Sequence, residues 1–467
     1  METSSYEAMC RVIEKFRWAL VSLGHVPTSG QLEKWSMYVL EGMSGPARFY
    51  HSPDHVLELS EKMDPIATLA ALFHDIVYYQ VDGGVAPFIH SQIYNYFNSV
   101  NGILYIKELE PPDLIYEVTL EVFGYSPGQQ LLANNGQNEF LSTLFALRVL
   151  SDIVSNRELM EIAVCIEATI PFRANTNAMK ELKTRIISAN KRFHLGIGKS
   201  DIEKIMTRAV LLSNKDVENF SYADTGLFLD QTWRLLPETN ARLSTSSTYS
   251  VKEYRIALFK MEGFLSFLKA DAIYHQYNGI PGPEEHRESL TRAENNIKIS
   301  VFYLRLKLYS TALLEALAKA TGGDAPLVYF TGNIGKQGAT GKSVRMDQFL
   351  SDFIPSVQST DHDPVVERIL SASVSRSVEY DTRSSPLSSY LYKHLGEKNI
   401  LEGYRLAKEM FIGNISCEDF LKAQNPVLTE EIITACSVLA LTRKKRLVSL
   451  LDLYGISDAS KKMRDAG

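Results

Sequence analysis

Cysteine is scarce in this chain and never paired. Cys10, Cys165, Cys417 and Cys436 stand far apart with no C-x-x-C among them, which argues against a zinc ribbon and against a disulfide-stapled scaffold and fits a reducing compartment. Uninterrupted apolar runs are missing too: none approaches the roughly 18–20 residues of a membrane span. The start, Met1 to Tyr6, is polar and lacks the basic-then-apolar layout of a secretory leader, so the expected location is cytoplasmic. Neither sign of charge dominates, with 49 Lys and Arg against 55 Asp and Glu, and general nucleic-acid binding is therefore not expected. The one basic knot, Arg443-Lys444-Lys445-Arg446, reads as a solvated helix face, with a phosphate or anionic-surface contact as the alternative. Internal repeats and low-complexity tracts are absent.

What the chain has is helical periodicity. Between 251 and 274, apolar residues fall at Tyr254, Leu258, Met261, Phe264, Leu265 and Leu268, a three-to-four residue stripe that predicts an amphipathic helix. Residues 286 to 320 read as a second long helix. Alternating strand patterns are few, the best being Pro326 to Phe330, so an all-α fold with at most a short hairpin is expected. Breaks fall at 125–138, at 244–250, at 279–283, from 321 to about 345, and at 358–364. The 467 residues have room for two or three domains: residues 1–225 as a helical domain, 226–345 as an extension with long helices and a Gly-rich loop, and 346–467 as a C-terminal helical region.

The chemistry concentrates near the start. Gly45-Pro-Ala-Arg48-Phe-Tyr50-His51 leads into Ser52-Pro53-Asp54, a helix start with a capping hydroxyl, a proline at the first position and an acid in the first turn. His55 then falls in that first turn, with His51 just outside it. A second start at Asp64-Pro65 leads into Ile-Ala-Thr-Leu-Ala-Ala-Leu-Phe73-His74-Asp75, apolar nearly all round and therefore buried. An adjacent His and Asp are costly there, and a divalent cation resolves the cost, with imidazole and carboxylate as ligands. One short loop joins the two helices, so His55 can converge with His74 and Asp75. The competing reading is a structural His/Asp hydrogen-bond cluster.

The segment resembles the HD metal-dependent phosphohydrolase superfamily, and within it a bacterial group with R-x-Y-H-x-x-x-H followed by F-H-D-x-V-Y. Here those positions are Arg48, Tyr50, His51 and His55, then Phe73, His74, Asp75, Val77 and Tyr78. The start is also similar to the Y-H-N-x-x-H of cyclic-nucleotide phosphodiesterases, with Ser52 in place of the Asn. The likeness is specific across 45–80 and weaker out to about 222. It implies an HD-type helical bundle, beyond which the residue pattern adds a C-terminal helical region. It also implies His51 as general acid, His55 as a metal ligand, and one more Asp from a later helix. Asp216 is favoured for that position, because Leu211-Leu-Ser-Asn214-Lys-Asp216 is similar to the closing segment and Ile166-x-x-Thr169 to the I-x-x-T before it. Asn214, which stands where an Asp is common, and Asp152 are the rivals.

The implied activity is hydrolysis of a phosphomonoester or phosphodiester by metal-activated water, with one or two Mn, Mg, Fe, Co or Zn ions. Asp75 would serve as a ligand and in catalysis, and Arg48 would neutralise phosphoryl charge. The implied partner is a small phosphorylated substrate, nucleotides included; a homo-oligomer is compatible. A non-catalytic HD-fold scaffold or binding module is the alternative, and a di-iron oxygenase a further one that needs extra histidines. His90 is an additional candidate ligand and Asp82 a candidate partner for a metal-bound water, whereas His194, His275 and His286 read as ordinary. Gly335-Lys-Gln-Gly-Ala-Thr-Gly341-Lys342-Ser343 comes near a phosphate-binding loop but has five residues, not four, between its outer glycines, and no nucleotide site is expected there.

Overall fold

The computed structural model describes residues 5–173, 177–244, 248–332, 344–351, 361–371 and 386–466. Twenty-one α-helices and one two-stranded sheet run through them, so the all-α expectation holds. No helix among these residues is long and apolar enough to cross a membrane.

The N-terminal helices owe their ends to local chemistry. Helix α1 covers Ser5–Ser22 and α2 covers Ser29–Met43, the latter opened by a capping box between Thr28 and Gln31. Helix α3, Pro53–Leu59, begins at its proline as expected, although the Ser52 hydroxyl makes no capping bond. Helix α4, Pro65–Phe73, starts where the Asp64 carboxylate accepts from the Ala67 amide. Every residue of α4 after its proline is buried, and it packs against α1, α3 and three later helices, which makes it the centre of the bundle. Two short helices follow, α5 (Tyr79–Asp82) and α6 (Pro87–Ile93). The hairpin is next: β1 (Phe97–Val100) pairs antiparallel with β2 (Ile103–Ile106), Phe97 opposite Ile106. Asn101 and Gly102 turn it at φ 53° and 78°, as a two-residue Asn-Gly loop requires. Then come α7 (Leu114–Phe123), α8 (Gln137–Leu150), α9 (Asn156–Ala168), α10 (Ala178–Arg192) and α11 (Lys199–Asp216).

The strand expected at Pro326–Phe330 is not one. Pro326 makes a single bridge to Ser250, and Val328–Thr331 closes a helical turn. The phosphate-loop-like stretch 335–343 lies outside the described residues.

The chain divides into two compact units, one of 1–223 with 268–294, the other of 224–267 with 295–467. The sequence boundary at 225 falls within two residues of the first junction, and the one at 345 falls inside the second unit. The return of 268–294 to the first unit has no counterpart in the sequence reading. The second unit contains α12 (Thr225–Thr239), α13 (Val251–Phe267) and most of α14 (Pro283–Thr321), the long helix read from the periodicity. Arg443 donates to the carbonyls of Ala318 and Gly323 and Arg446 to that of Thr321. Half of the basic knot is thus a cap on the C-terminus of α14, where unpaired carbonyls attract cations.

Candidate metal centre

Four side chains reach one point in the first unit. His55 stands in the first turn of α3. His74 follows the last residue of α4, and its amide still bonds back to Ala70. The His-Asp pair therefore sits at the C-terminal end of the apolar helix rather than inside it, with Asp75 in the turn beyond. Asp216 is the last residue of α11. Two helix C-termini with their partial negative charge are thus aimed at the place where a cation is needed.

The donor atoms are His55 Nε2, His74 Nε2, Asp75 Oδ2 and Asp216 Oδ1. His55 Nε2 lies 3.5 Å from Asp75 Oδ2 and 3.2 Å from Asp216 Oδ1; His74 Nε2 lies 2.8 Å and 3.3 Å from the same two oxygens. The group as a whole fits within 4.8 Å. Separations of roughly 3–4 Å are what ligands show around a common ion at bond lengths of about 2.1 Å. Both Nε2 atoms are buried and make no well-aligned hydrogen bond. His74 Nδ1 lies 2.9 Å from the Ala71 carbonyl, and a carbonyl can only accept. The ring is thereby oriented with its Nε2 lone pair facing the carboxylates, as in metal-ligating histidines. Four electron-rich atoms converge with no fixed donor among them. The arrangement fits a divalent cation and can hold one.

The electrostatics agree. Burial works to lower the His55 pKa, but the Asp216 and Asp75 carboxylates beside it outweigh burial and raise it to about 9. His74 is likewise raised, against burial, by the charges of Asp75 and Asp216. Burial would raise Asp75, yet the charges of His74 and His51 hold it well below the usual carboxylate range, and Asp216 is held to about 2 against burial, first by His74. Without a cation, protons on the imidazoles must balance the two carboxylates; a divalent ion replaces them.

Arg48 departs from its expected role. Its side chain is fully buried, and all five N–H donors are taken. Nε and Nη2 hold the Asp82 carboxylate at 2.9 and 2.6 Å; Nη1 reaches the Asp75 carbonyl at 2.7 Å and Met43 Sδ at 3.5 Å, and Nη2 the Ile76 carbonyl at 3.3 Å. Nothing is left for a phosphoryl oxygen. Arg48 instead fixes the backbone that carries Asp75, and Asp82 is its counter-ion rather than the partner of a metal-bound water. Gly42 permits this approach, since a Cβ there would lie 2.6 Å from Ile76 Cγ1. From the other side α8 secures the same turn: the Val77 amide donates to Ser142 Oγ at 3.1 Å and the Tyr79 amide to Asn138 Oδ1 at 3.0 Å.

His51 Nε2 comes to 3.8 Å from Asp75 Oδ2, outside the four-atom group. Its ring meets Tyr50 and Tyr78 edge-on, each at 4.8 Å. Asp152 is exposed and not in the group, and His90 is an exposed residue beside Tyr94 and Phe97. Asn214 is not a ligand: its side-chain amide accepts from the His275 amide and donates to the His275 carbonyl, both at 2.8 Å. That pair of bonds latches segment 268–294 beside Asp216. Sequence reasoning missed Glu139, a buried carboxyl on α8 raised to about 7 by burial and by the charge of Asp75. The only signal for it was an acid within an otherwise apolar helical stretch.

Comparison with protein-family models, with curated proteins and with solved structures finds no match to this chain.

Proposed function

We propose that the protein is a metal-dependent phosphohydrolase of the HD type, acting on a small phosphoester. The observation that carries this reading is the convergence of two buried imidazole Nε2 atoms and two carboxylate oxygens with no fixed donor among them. A structural His/Asp cluster would pair each acceptor with an aligned donor. One ion matches the single group of this kind among the described residues, and two imidazoles out of four donors suit Zn, Fe, Co or Mn better than Mg.

A divalent ion bound there would supply an acidified water and a Lewis acid towards a phosphoryl oxygen. The chain's own residues do the rest. His55, His74, Asp75 and Asp216 hold the charge, while Arg48 and α8 hold Asp75 in place. His51, at the rim of the group, is placed to give its proton to the leaving alkoxide as the phosphorus–oxygen bond breaks.

The test is elemental analysis of purified, metal-supplied protein beside a His74→Ala/Asp75→Ala variant. About one equivalent in the wild type, lost in the variant, supports the reading, and hydrolysis of simple phosphomonoesters and diesters should then depend on His51. Wild type that stays metal-free overturns it and leaves the non-catalytic scaffold.

A further inference from the structure

Segment 268–294 grips the helix that ends in Asp216 at two places. Ala270, Ile273, Tyr274 and Tyr277 recur at helical spacing and all are buried, so the segment docks by an apolar face. After one helical turn the chain folds back through Asn278 and Gly279, at φ 48° and 77°, and Tyr277 and Ile280 exchange both backbone bonds at 2.9 Å. That turn is the far anchor. The Tyr277 hydroxyl and the Asn278 side-chain amide both donate to Glu203 Oε2 on α11, the latter at 2.8 Å, while Lys183 from α10 holds Oε1 at 2.6 Å.

The near anchor surrounds the ligand itself. Asn214 exchanges two bonds with the His275 backbone, both at 2.8 Å. The Tyr274 hydroxyl donates to the Val217 carbonyl at 2.9 Å, with the Glu218 carbonyl at 3.3 Å. Lys215 donates to the Glu61 carbonyl, just past α3. Asp216 is thus flanked on both sides by residues tied to other parts of the unit, and the ties of Asn214 and Val217 run to adjacent residues of one segment. The last turn of a helix lacks intrahelical donors for its carbonyls and frays first, so a ligand placed there needs support from outside the helix.

We propose that residues 270–280 form a strap that positions Asp216 for the cation, with Tyr274 as the chief positioning residue, so that strap docking and metal binding favour each other. The inference rests on the metal centre of the phosphohydrolase reading and adds a regulation to it. Affinity for the ion is set in part by the connection between α13 and α14, which contributes none of the four donor atoms. A ligand must be held within about 0.5 Å of its productive place. Tyr274 does this through the backbone, because its hydroxyl fixes the carbonyl of the residue next to Asp216. Phenylalanine there would keep the packing and lose only the bond. By linkage, whatever the docked strap adds to metal affinity, bound metal adds to strap docking.

The experiment is titration of cobalt(II) into the chelator-treated full chain, with affinity read by competition against a chelator and ligand geometry by the visible absorption of the bound ion. Wild type is set against Tyr274→Phe, Tyr277→Phe and Tyr116→Phe, with thermal unfolding measured on each. Tyr116→Phe is the structural control: it too removes a buried hydroxyl from backbone carbonyls, those of Lys107 and Tyr96. The expected result is cobalt affinity weakened about tenfold in Tyr274→Phe with altered absorption bands, a smaller loss in Tyr277→Phe, and none in Tyr116→Phe. In wild type, cobalt should slow hydrogen exchange of the His275 amide, a measurement that needs no variant to fold. Tyr274→Phe that binds cobalt as tightly as Tyr116→Phe, or exchange at His275 that is indifferent to cobalt, overturns the strap and leaves the centre standing. Wild type that takes up no cobalt removes the centre, and the strap's role with it.

Discussion

Both units of the molecule bury charge, and two clusters among the described residues balance it in different ways. In the second unit the carboxylate of Glu315, almost wholly buried, accepts from Arg255 Nε at 2.9 Å and lies 2.8 Å from Lys319 Nζ, and Glu262 accepts from Arg305 Nε at 2.8 Å. Each of these two acids has its cation in the fold. In the first unit Asp75 and Asp216 face two imidazoles whose inward nitrogens are acceptors unless protonated. The difference separates scaffold from site: a buried charge is a functional signal when donors and acceptors do not balance, and a structural one when they do.

The strongest way to break this comparison is to remove a ligand from each kind of cluster. Asp216→Ala should abolish stoichiometric metal binding, weakening it by well over the roughly 10–100-fold cost of losing a second-shell partner. Glu315→Gln should leave metal content unchanged and cost about 1–3 kcal/mol in chemical unfolding, because it takes the charged partner from a half-buried arginine. Equal loss of metal in both variants would mean that the imbalance in the first unit has no special meaning. Arg48→Ala sharpens the contrast. It should destabilise the first unit by about 3–5 kcal/mol, since Asp82 and two carbonyls lose their donor. Added metal should restore part of that loss, by mass action on the folded state.

Acidity gives the next effect. In chelator-treated protein, His55 keeps its proton up to about 9 in the fold but only to about 6.5 in the unfolded chain. The stability from that proton is fully present below pH 6.5 and is lost as pH rises through 9, a fall of roughly 3 kcal/mol. Metal competes for the same nitrogen, so metal affinity should rise over the same window, about tenfold per pH unit for each proton displaced. Thermal unfolding from pH 6 to 9, with chelator and with metal, reads both trends. Parallel pH dependences in the two conditions would sink the assignment of His55 as a ligand.

The parts of the centre that were legible from sequence are those whose chemistry is local. Proline and a preceding acid mark the start of α4, and an apolar helix that ends in His74-Asp75 announces a buried charge. The closing Asp216, more than 140 residues away in the chain, was reached only through the resemblance of its segment. What stayed hidden depends on tertiary contact. No spacing shows that Arg48 faces backbone carbonyls instead of solvent, because that follows from how α2 and the turn after α4 pack across Gly42. Segment 268–294 was invisible as part of the first unit because the chain leaves for α12 and α13 before it returns. The Asn101-Gly102 turn is a local signal that the reading of the sequence does not use; it looks instead to the apolar Pro326–Phe330 run, where burial is satisfied by a helical turn.

Asn214 gives the smallest effect and the cleanest separation of ligand from latch. As a ligand standing in for Asp, it should bind metal more tightly once changed to Asp. As a latch it needs both a donor and an acceptor, since it gives one bond to the His275 carbonyl and takes one from the His275 amide. Aspartate keeps the acceptor and sets a negative oxygen against the carbonyl. Asn214→Asp is therefore expected to cost about 1–3 kcal/mol and to speed hydrogen exchange of the His275 amide, with metal stoichiometry unchanged. Asn214→Ala should do the same to exchange without the added repulsion. An extra equivalent of metal in Asn214→Asp would return this position to the centre and count against the latch.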